Sequence, residues 1–230
     1  MEPSVIFEDN HLIVINKNAG EIVQGDKTGD EPLSEKVAAY LAKKYQKPGK
    51  AFIGVIHRID RPVSGAVVFA KTGKALSRMN ELFRNRDVQK VYWTLIEGRP
   101  LEDSGLLVHY LSKNAEKNKS KALTNPAEGH LRSELSWKCI KRLENYSLLE
   151  VEPLTGRHHQ IRVQLSSVGW PIKGDVKYGA RRANTDRSIC LHARKITFDH
   201  PVKKAPLIVE APLPQTNAWS PLAGHKEFFE

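Results

Sequence analysis

The chain has 230 residues, 40% of them hydrophobic and 27% charged, and a formal net charge of +10. That is apolar material for a full core, with no run near the roughly 18 apolar residues of a membrane span and no basic-then-apolar leader at the acidic N-terminus. A soluble cytoplasmic protein with a polyanionic partner is expected, since excess positive charge favours nucleic acid. Residues 5–8 and 11–15 read as short strands turning at Asp9 and Asn10, followed by a loop at Asn18 to Gly20. Leu33, Val37, Tyr40 and Leu41 recur at helical spacing over 33–46, with Ser34 as the expected N-cap and Pro48-Gly49 as the stop.

Residues 52–57 and 66–70 are β-branched and apolar and suggest strands buried on both faces. Thr72 is placed to cap a second amphipathic helix carrying Ala75, Leu76, Met79, Leu82 and Phe83 on one face. Residues 88–97 and 106–111 read as strands, and 112–129, rich in Lys and Asn, as a mobile basic loop. Residues 135–140 and 146–151 suggest an antiparallel pair around Glu144-Asn145. A third helix is expected to start at Thr155-Gly156 and close at Gly169. Residues 187–198 and 207–211 complete the strands, and the proline-containing stretch 212–230 reads as an irregular tail in which Phe228 and Phe229 can dock. One α+β domain over 1–230, a mixed, largely antiparallel sheet flanked by helices and loops, fits this order. Cys139 and Cys190 form no metal or disulfide pattern and read as core thiols.

Three stretches could carry chemistry. In VIHRIDRPVSG, Asp60 is the only acidic residue between Glu35 and Glu81, an interval that holds ten Lys and Arg. His57-Arg58 near Asp60 lacks the spacing and companion motifs of a kinase catalytic loop, and the chain has no Walker A or Rossmann glycine fingerprint. Adjacent His158 and His159 on a helix would point about 100° apart and not converge on one ion. No metal is expected. In LTGRHHQIRVQL, Arg157 in a first helical turn would oppose the helix dipole, which an anion partner would relieve. In KVYW, period-2 alternation puts Lys90 and Tyr92 on one strand face and Val91 and Trp93 on the other.

Together HRIDRPVSG, KVYW, LTGRHHQIRVQL with PIKGDVKYG, LHARKITFDHP and the opening NHLIVINKNAG resemble, in order, the RluA-type pseudouridine synthases over roughly residues 5–211. The resemblance implies isomerisation of uridine in rRNA or tRNA to pseudouridine, without metal, redox or energy cofactor. It implies Asp60 as the catalytic carboxylate, acting as nucleophile or as base. Arg162 is then the arginine beside it, and Tyr92 the ring that stacks on uracil and helps remove the C5 proton. Arg58 enters the RNA stack when the target base flips out. Lys90, Arg157, Lys113 and Lys117 become candidate RNA contacts, with salt-sensitive binding. Asn18 stands where the family often has Pro, and Gln164 where His is frequent, so any departure concerns loop shape and substrate fit. A compact member is expected, a monomer without an accessory RNA-binding domain in front. Two other readings remain open at this point. One is an RNA-binding assembly factor with little turnover; the other is a metal-free nucleic-acid hydrolase, for which no second acid is evident.

Overall fold

The computed structural model describes residues 2–26 and 29–228. In chain order its main elements are β1 (Val5–Glu8), β2 (Leu12–Lys17), α1 (Leu33–Lys44), β3 (Gly54–Val55), β4 (Ser64–Ala70) and α2 (Gly73–Asn85). There follow β5 (Gln89–Glu97), β6 (Ser104–Asn114), β7 (Lys119–Leu123), β8 (Leu131–Arg142), β9 (Tyr146–Pro153), α3 (Gln160–Ser167), β10 (Leu191–Asp199) and β11 (Pro206–Glu210). By contacts the chain forms two compact units, each discontinuous in sequence. The first runs to Lys90 and resumes over Ala193–Pro214; the second holds Val91–His192 and the chain from Gln215. The division falls inside β5 and β10.

In the first unit the strand order is β1-β2-β4-β10, with β3 also on β4 and β11 on β10. The registered pairs β1–β2, β2–β4, β3–β4 and β10–β11 are antiparallel. Every residue of β4 is buried, as its unbroken apolar pattern predicts. Leu12, Val14, Val68, Met79, Ile196 and Phe198 form the centre of this unit's core. Thr72 caps α2 by accepting a bond from Ala75 N, and Ala75 and Met79 are its buried face. Gly65 has φ +114°, and a Cβ there would overlap the backbone of Ala193. Only glycine lets β4 and β10 approach at this point.

The structure moves some expected boundaries. Pro32, not Ser34, precedes α1, and its first amides are met by the chain before it: Leu33 N donates to Ile22 O and Ser34 N to Val23 O. Loop carbonyls do the work a side-chain cap would do, so no serine is needed. Only Gly54 and Val55 of the stretch 52–57 pair as a strand, because the chain turns away toward Asp60.

In the second unit the order is β5-β9-β8-β6-β7, and each of these pairs is antiparallel. The β8–β9 pair confirms the predicted turn around Glu144-Asn145. Where a loop was expected at 112–129, β6 and β7 form a hairpin with Lys113 opposite Ser120. Its inward positions are Ser120 and Ala122 rather than large hydrophobes, so its period is hidden under lysines. The tail is not irregular throughout. Asn217–Leu222 and Lys226–Phe228 are 3₁₀ turns that bury Trp219, Leu222 and Phe228. Phe228 packs edge-on against Trp93, with centroids 5.7 Å apart; Phe229 lies outside the described residues. Cys190 is buried, whereas Cys139 is half-buried and only partly a core thiol.

Candidate active site

Asp60 sits on the loop between β3 and β4, flanked by buried Ile59 and Val63. Its carbonyl accepts from Val63 N at 3.0 Å, closing a tight turn. The next carbonyl, that of Arg61, accepts from Gly20 N at 2.7 Å and from Lys17 Nζ at 3.3 Å. Lys17 is wholly buried, and its ammonium also donates to Asn18 O and Glu21 O, each at 2.8 Å. Three carbonyls thus converge on the three N–H groups of one ammonium. Burial pulls the Lys17 pKa down to about 7, against the opposing attraction of Glu21 and Asp60. On the other side of the loop, His57 Nε2 accepts from Val68 N at 3.0 Å and its ring stacks on Phe83. A ring nitrogen that accepts a backbone N–H carries no proton of its own. Burial, with Lys90 nearby, accordingly lowers the His57 pKa to about 3.

Sequence reading singled out Asp60 but missed Lys17 and His57 as its supports. The signal for Lys17 was present: a lysine closing the apolar run LIVIN. Arg58 is exposed beside this loop, and Arg61 pairs at 2.7 Å with Asp30. Lys90 lies with its Nζ 6.0 Å from the Phe83 ring, its pKa lowered by burial and by Arg86. In the first unit Lys90 thus meets the His57–Phe83 stack, and Arg58 and Asp60 follow His57 on the same loop.

The second unit holds Tyr92, Arg157, Arg162, Lys113 and Lys117. Tyr92 is half-buried on β5 opposite Val151. Its neighbour Trp93 turns to the other face, donating from Nε1 to Glu150 Oε2 and meeting Phe228. The α3 helix begins at Gln160, after His159 in the left-handed region at φ 53°, not at Thr155-Gly156. The cause is the Gln160 amide oxygen, which accepts from Thr155 Oγ1 at 2.8 Å and from Arg157 N at 3.0 Å. That folds 155–159 into a turn. Arg157 is consequently an exposed loop residue and does not oppose the helix dipole.

Arg162 is 5% exposed and gripped in two places. Its Nε and Nη2 donate to the two oxygens of Asp175, at 2.6 and 2.9 Å, a bidentate charged pair. Its guanidinium carbon lies 5.0 Å from the Tyr178 ring centroid. Asp175 and Tyr178 belong to the PIKGDVKYG stretch, yet neither was assigned a role from sequence. Tyr178 also accepts from Ser120 N at 2.8 Å and contacts His159 Nδ1 at 2.8 Å. Ser120 donates to His158 O, and the His158 ring reaches Asn118 Oδ1 at 3.1 Å. Tyr178 thus ties the turn end of the β6–β7 hairpin, where Lys113 and Lys117 are exposed, to Arg162. His158 and His159 stack with centroids 3.7 Å apart, and among the described residues no group of three His, Cys, Asp or Glu could hold a metal. Gln164, the other departure from the family pattern, is buried and donates to Leu107 O and Ser133 O, knitting α3 to β6 and β8.

Among the described residues no helix is long and apolar enough to cross a membrane. The chain is 32% identical over 219 residues to a ribosomal large subunit pseudouridine synthase C of Vibrio vulnificus, covering 93% of this chain and 66% of that protein. It is 30% identical over 214 residues to an uncharacterized RNA pseudouridine synthase of Bacillus subtilis, covering 93% of this chain and 69% of that one. It thus spans about two thirds of the length of these relatives. The fold matches that of the human RNA pseudouridylate synthase domain containing 4, with a TM-score of 0.78, 24% identity, and coverage of 96% of this chain and 92% of the other. Residues 11–167, on both sides of the unit boundary and including Asp60, Tyr92 and Arg162, match the family model described as RNA pseudouridylate synthase, and the chain belongs to that family.

Proposed function

We propose that this protein isomerises specific uridines of rRNA or tRNA to pseudouridine, flipping the target base out of the RNA and using Asp60 as the essential carboxylate. The observation that carries this is the Asp60 loop, whose Arg61 carbonyl is held by Gly20 N and by the buried Lys17 ammonium within the stretch that matches the family. A single fixed carboxylate suits a reaction in which the N-glycosidic bond breaks, the uracil turns in place, and C5 bonds to C1′ before losing its proton. Asp60 either adds to the sugar or base as nucleophile or takes the C2′ proton as base. In this reading Arg162, held by Asp175 and Tyr178, is the arginine that works with Asp60, as the family pattern implies. Tyr92 stacks on the uracil and its hydroxyl assists removal of the C5 proton. Arg58, exposed beside the loop, fills the gap left by the flipped base, as a planar cation can. Lys90, Arg157, Lys113 and Lys117 meet phosphates. The name of the Vibrio vulnificus relative, a ribosomal large subunit pseudouridine synthase, supports rRNA as the first substrate to test.

The test is to incubate the protein with bulk rRNA and tRNA, without added metal, and map pseudouridine. New sites are expected with wild type, and a loss on the order of 10³-fold with Asp60→Asn. Absence of any new site with wild type, with RNA binding retained, would favour the assembly-factor reading; full activity in Asp60→Asn would remove Asp60 from the chemistry. Arg58→Ala is expected to slow modification of a structured stem-loop about tenfold more than of an unpaired oligonucleotide. Equal losses on both would reject the wedge role.

A further inference from the structure

The second unit contains a cavity of ≈ 500 Å³ that none of the roles above uses. It lies at the end of the β5–β9 pair where Glu97 faces Tyr146, five register positions from Tyr92 opposite Val151. At ~3.3 Å per residue that is roughly 17 Å from Tyr92. Three cations, Lys173, Arg181 and Arg182, and one carboxylate, Glu97, line it. The carboxylate is engaged: both its oxygens accept from Arg181 N, at 3.2 and 3.1 Å. The cations are less so. Lys173 Nζ donates to two neutral acceptors, Asn184 Oδ1 at 2.7 Å and Ala218 O at 2.8 Å, and lies 5.7 Å from the Tyr146 ring centroid. Arg182 is exposed and makes no side-chain hydrogen bond or ion pair among the described residues. The loop that presents it is built in place. Asn184 Nδ2 donates to Ser188 O, and Asp186 Oδ1 accepts from both Ser188 N and Ser188 Oγ. Gly174 permits this, since a Cβ there would collide with the Asn184 side chain.

Arg181 pairs loosely with Glu97, Nε to Oε2 at 3.9 Å, but Lys173 and Arg182 meet no carboxylate among the described residues. A pocket of this size, with an aromatic wall, side-chain amides and two such cations, suits a nucleotide: phosphate on Arg182 and Lys173, base against Tyr146. We infer that it holds an unpaired nucleotide of the same RNA strand, flanking the modified uridine, and so acts as a second anchor that selects substrate. The inference rests on the proposed function. The chain's net charge of +10 and its RNA-modifying family favour a strand over a free nucleotide.

The experiment uses the full chain and an rRNA transcript that the wild type modifies, or, lacking one, an rRNA transcript that it binds. KM and kcat for pseudouridine formation, and Kd at several salt concentrations, are measured for Arg182→Ala and Tyr146→Ala. Expected are KM and Kd raised about fivefold for Arg182→Ala and about tenfold for Tyr146→Ala, with kcat unchanged. Arg182→Ala should also flatten the salt slope by about one unit. Lys47→Ala, an exposed cation of the first unit, serves as the charge control and should leave KM unchanged. Wild-type KM and Kd in Arg182→Ala, whose exposed side chain is unneeded for folding, would overturn the proposal whatever Tyr146→Ala does. In a second arm, uridine 5′-monophosphate and adenosine 5′-monophosphate are titrated into the protein with and without RNA. Weak binding that RNA abolishes supports the strand site. Mononucleotide binding that is lost in Arg182→Ala but indifferent to RNA would assign the pocket to a free nucleotide and overturn it. If wild type makes no pseudouridine yet the Kd effects appear, the proposed function fails and the pocket stands; if wild type is active and the variants match it, only the pocket fails.

Discussion

In the first unit Asp60 rides on a loop whose next carbonyl, that of Arg61, bonds a buried ammonium; in the second, Arg162 is gripped by its own head group, between a carboxylate and an aromatic ring. The main-chain bonds that hold the Asp60 loop do not involve its carboxylate, so Asp60→Asn should change charge and leave those bonds intact. A group placed through its head loses position and charge support together when the partner changes. Asp60 and Arg162 should therefore fail in different ways.

The largest effect is expected at Asp175→Asn, which replaces the carboxylate gripping the buried Arg162 with a neutral amide. Breaking such a pair costs about 3–5 kcal/mol. Denaturant unfolding should show that loss, and pseudouridine formation should fall at least tenfold under conditions where the variant is still folded. Stability and rate within a factor of two of wild type would mean that Asp175 does not position Arg162. Next comes Lys17→Met, which strips the donors from three carbonyls at a cost of about 3 kcal/mol. Here kcat should drop about tenfold with little change in KM, because the loop carrying Asp60 loosens while the RNA-binding surface stays. A rise in KM alone would place Lys17 in substrate binding instead.

The smallest effect is expected in the pH dependence of stability, where three groups of the first unit contribute. Burial opposes ionisation of Glu8, but hydrogen bonds from Lys44, Lys71 and Tyr45 outweigh it and hold its pKa at about 2. Asp9 behaves alike: burial is outweighed by the amides of His11 and Leu12 and by Lys203, giving a pKa of about 2. With His57 at about 3, all three groups bind protons less readily folded than unfolded. Their stabilisation is complete above the unfolded values and is lost as pH falls, from 6.5 toward about 3 for His57 and from about 4 toward 2 for the carboxylates. The melting temperature should thus decline by a few degrees between pH 6.5 and 4.5, and His57→Gln, which keeps an acceptor for Val68 N, should flatten that decline. An identical slope in His57→Gln would show that His57 does not titrate with folding.

Sequence alone disclosed much of this. β4 and α2 followed from local pattern, an unbroken apolar run and Thr72 with its apolar stripe. Asp60, Tyr92 and Arg162 were singled out by motifs in order, and their roles belong to the proposed function. What escaped depends on contacts between distant residues. Lys17 and Arg61 are 44 positions apart, and no local rule says that a lysine ending a strand will collect carbonyls from another loop. The start of α3 moved because Gln160 bonds back to Thr155 and Arg157, a side-chain competition that apolar periodicity does not register. The β6–β7 hairpin was hidden because its inward residue, Ser120, is small and polar and owes its burial to Tyr178 and His158.

The Cys190 thiol donates to the carbonyl of Ala218, in the terminal stretch folded onto the second unit, and burial pushes its pKa up to about 12. As long as that stretch is seated, Cys190 is shielded and almost wholly un-ionised, so thiol reagents have neither access nor a thiolate to attack. Its rate of alkylation is then a clock built into the chain. It counts how often the C-terminal turns lift away, without a fluorophore and without perturbing a residue of the candidate site.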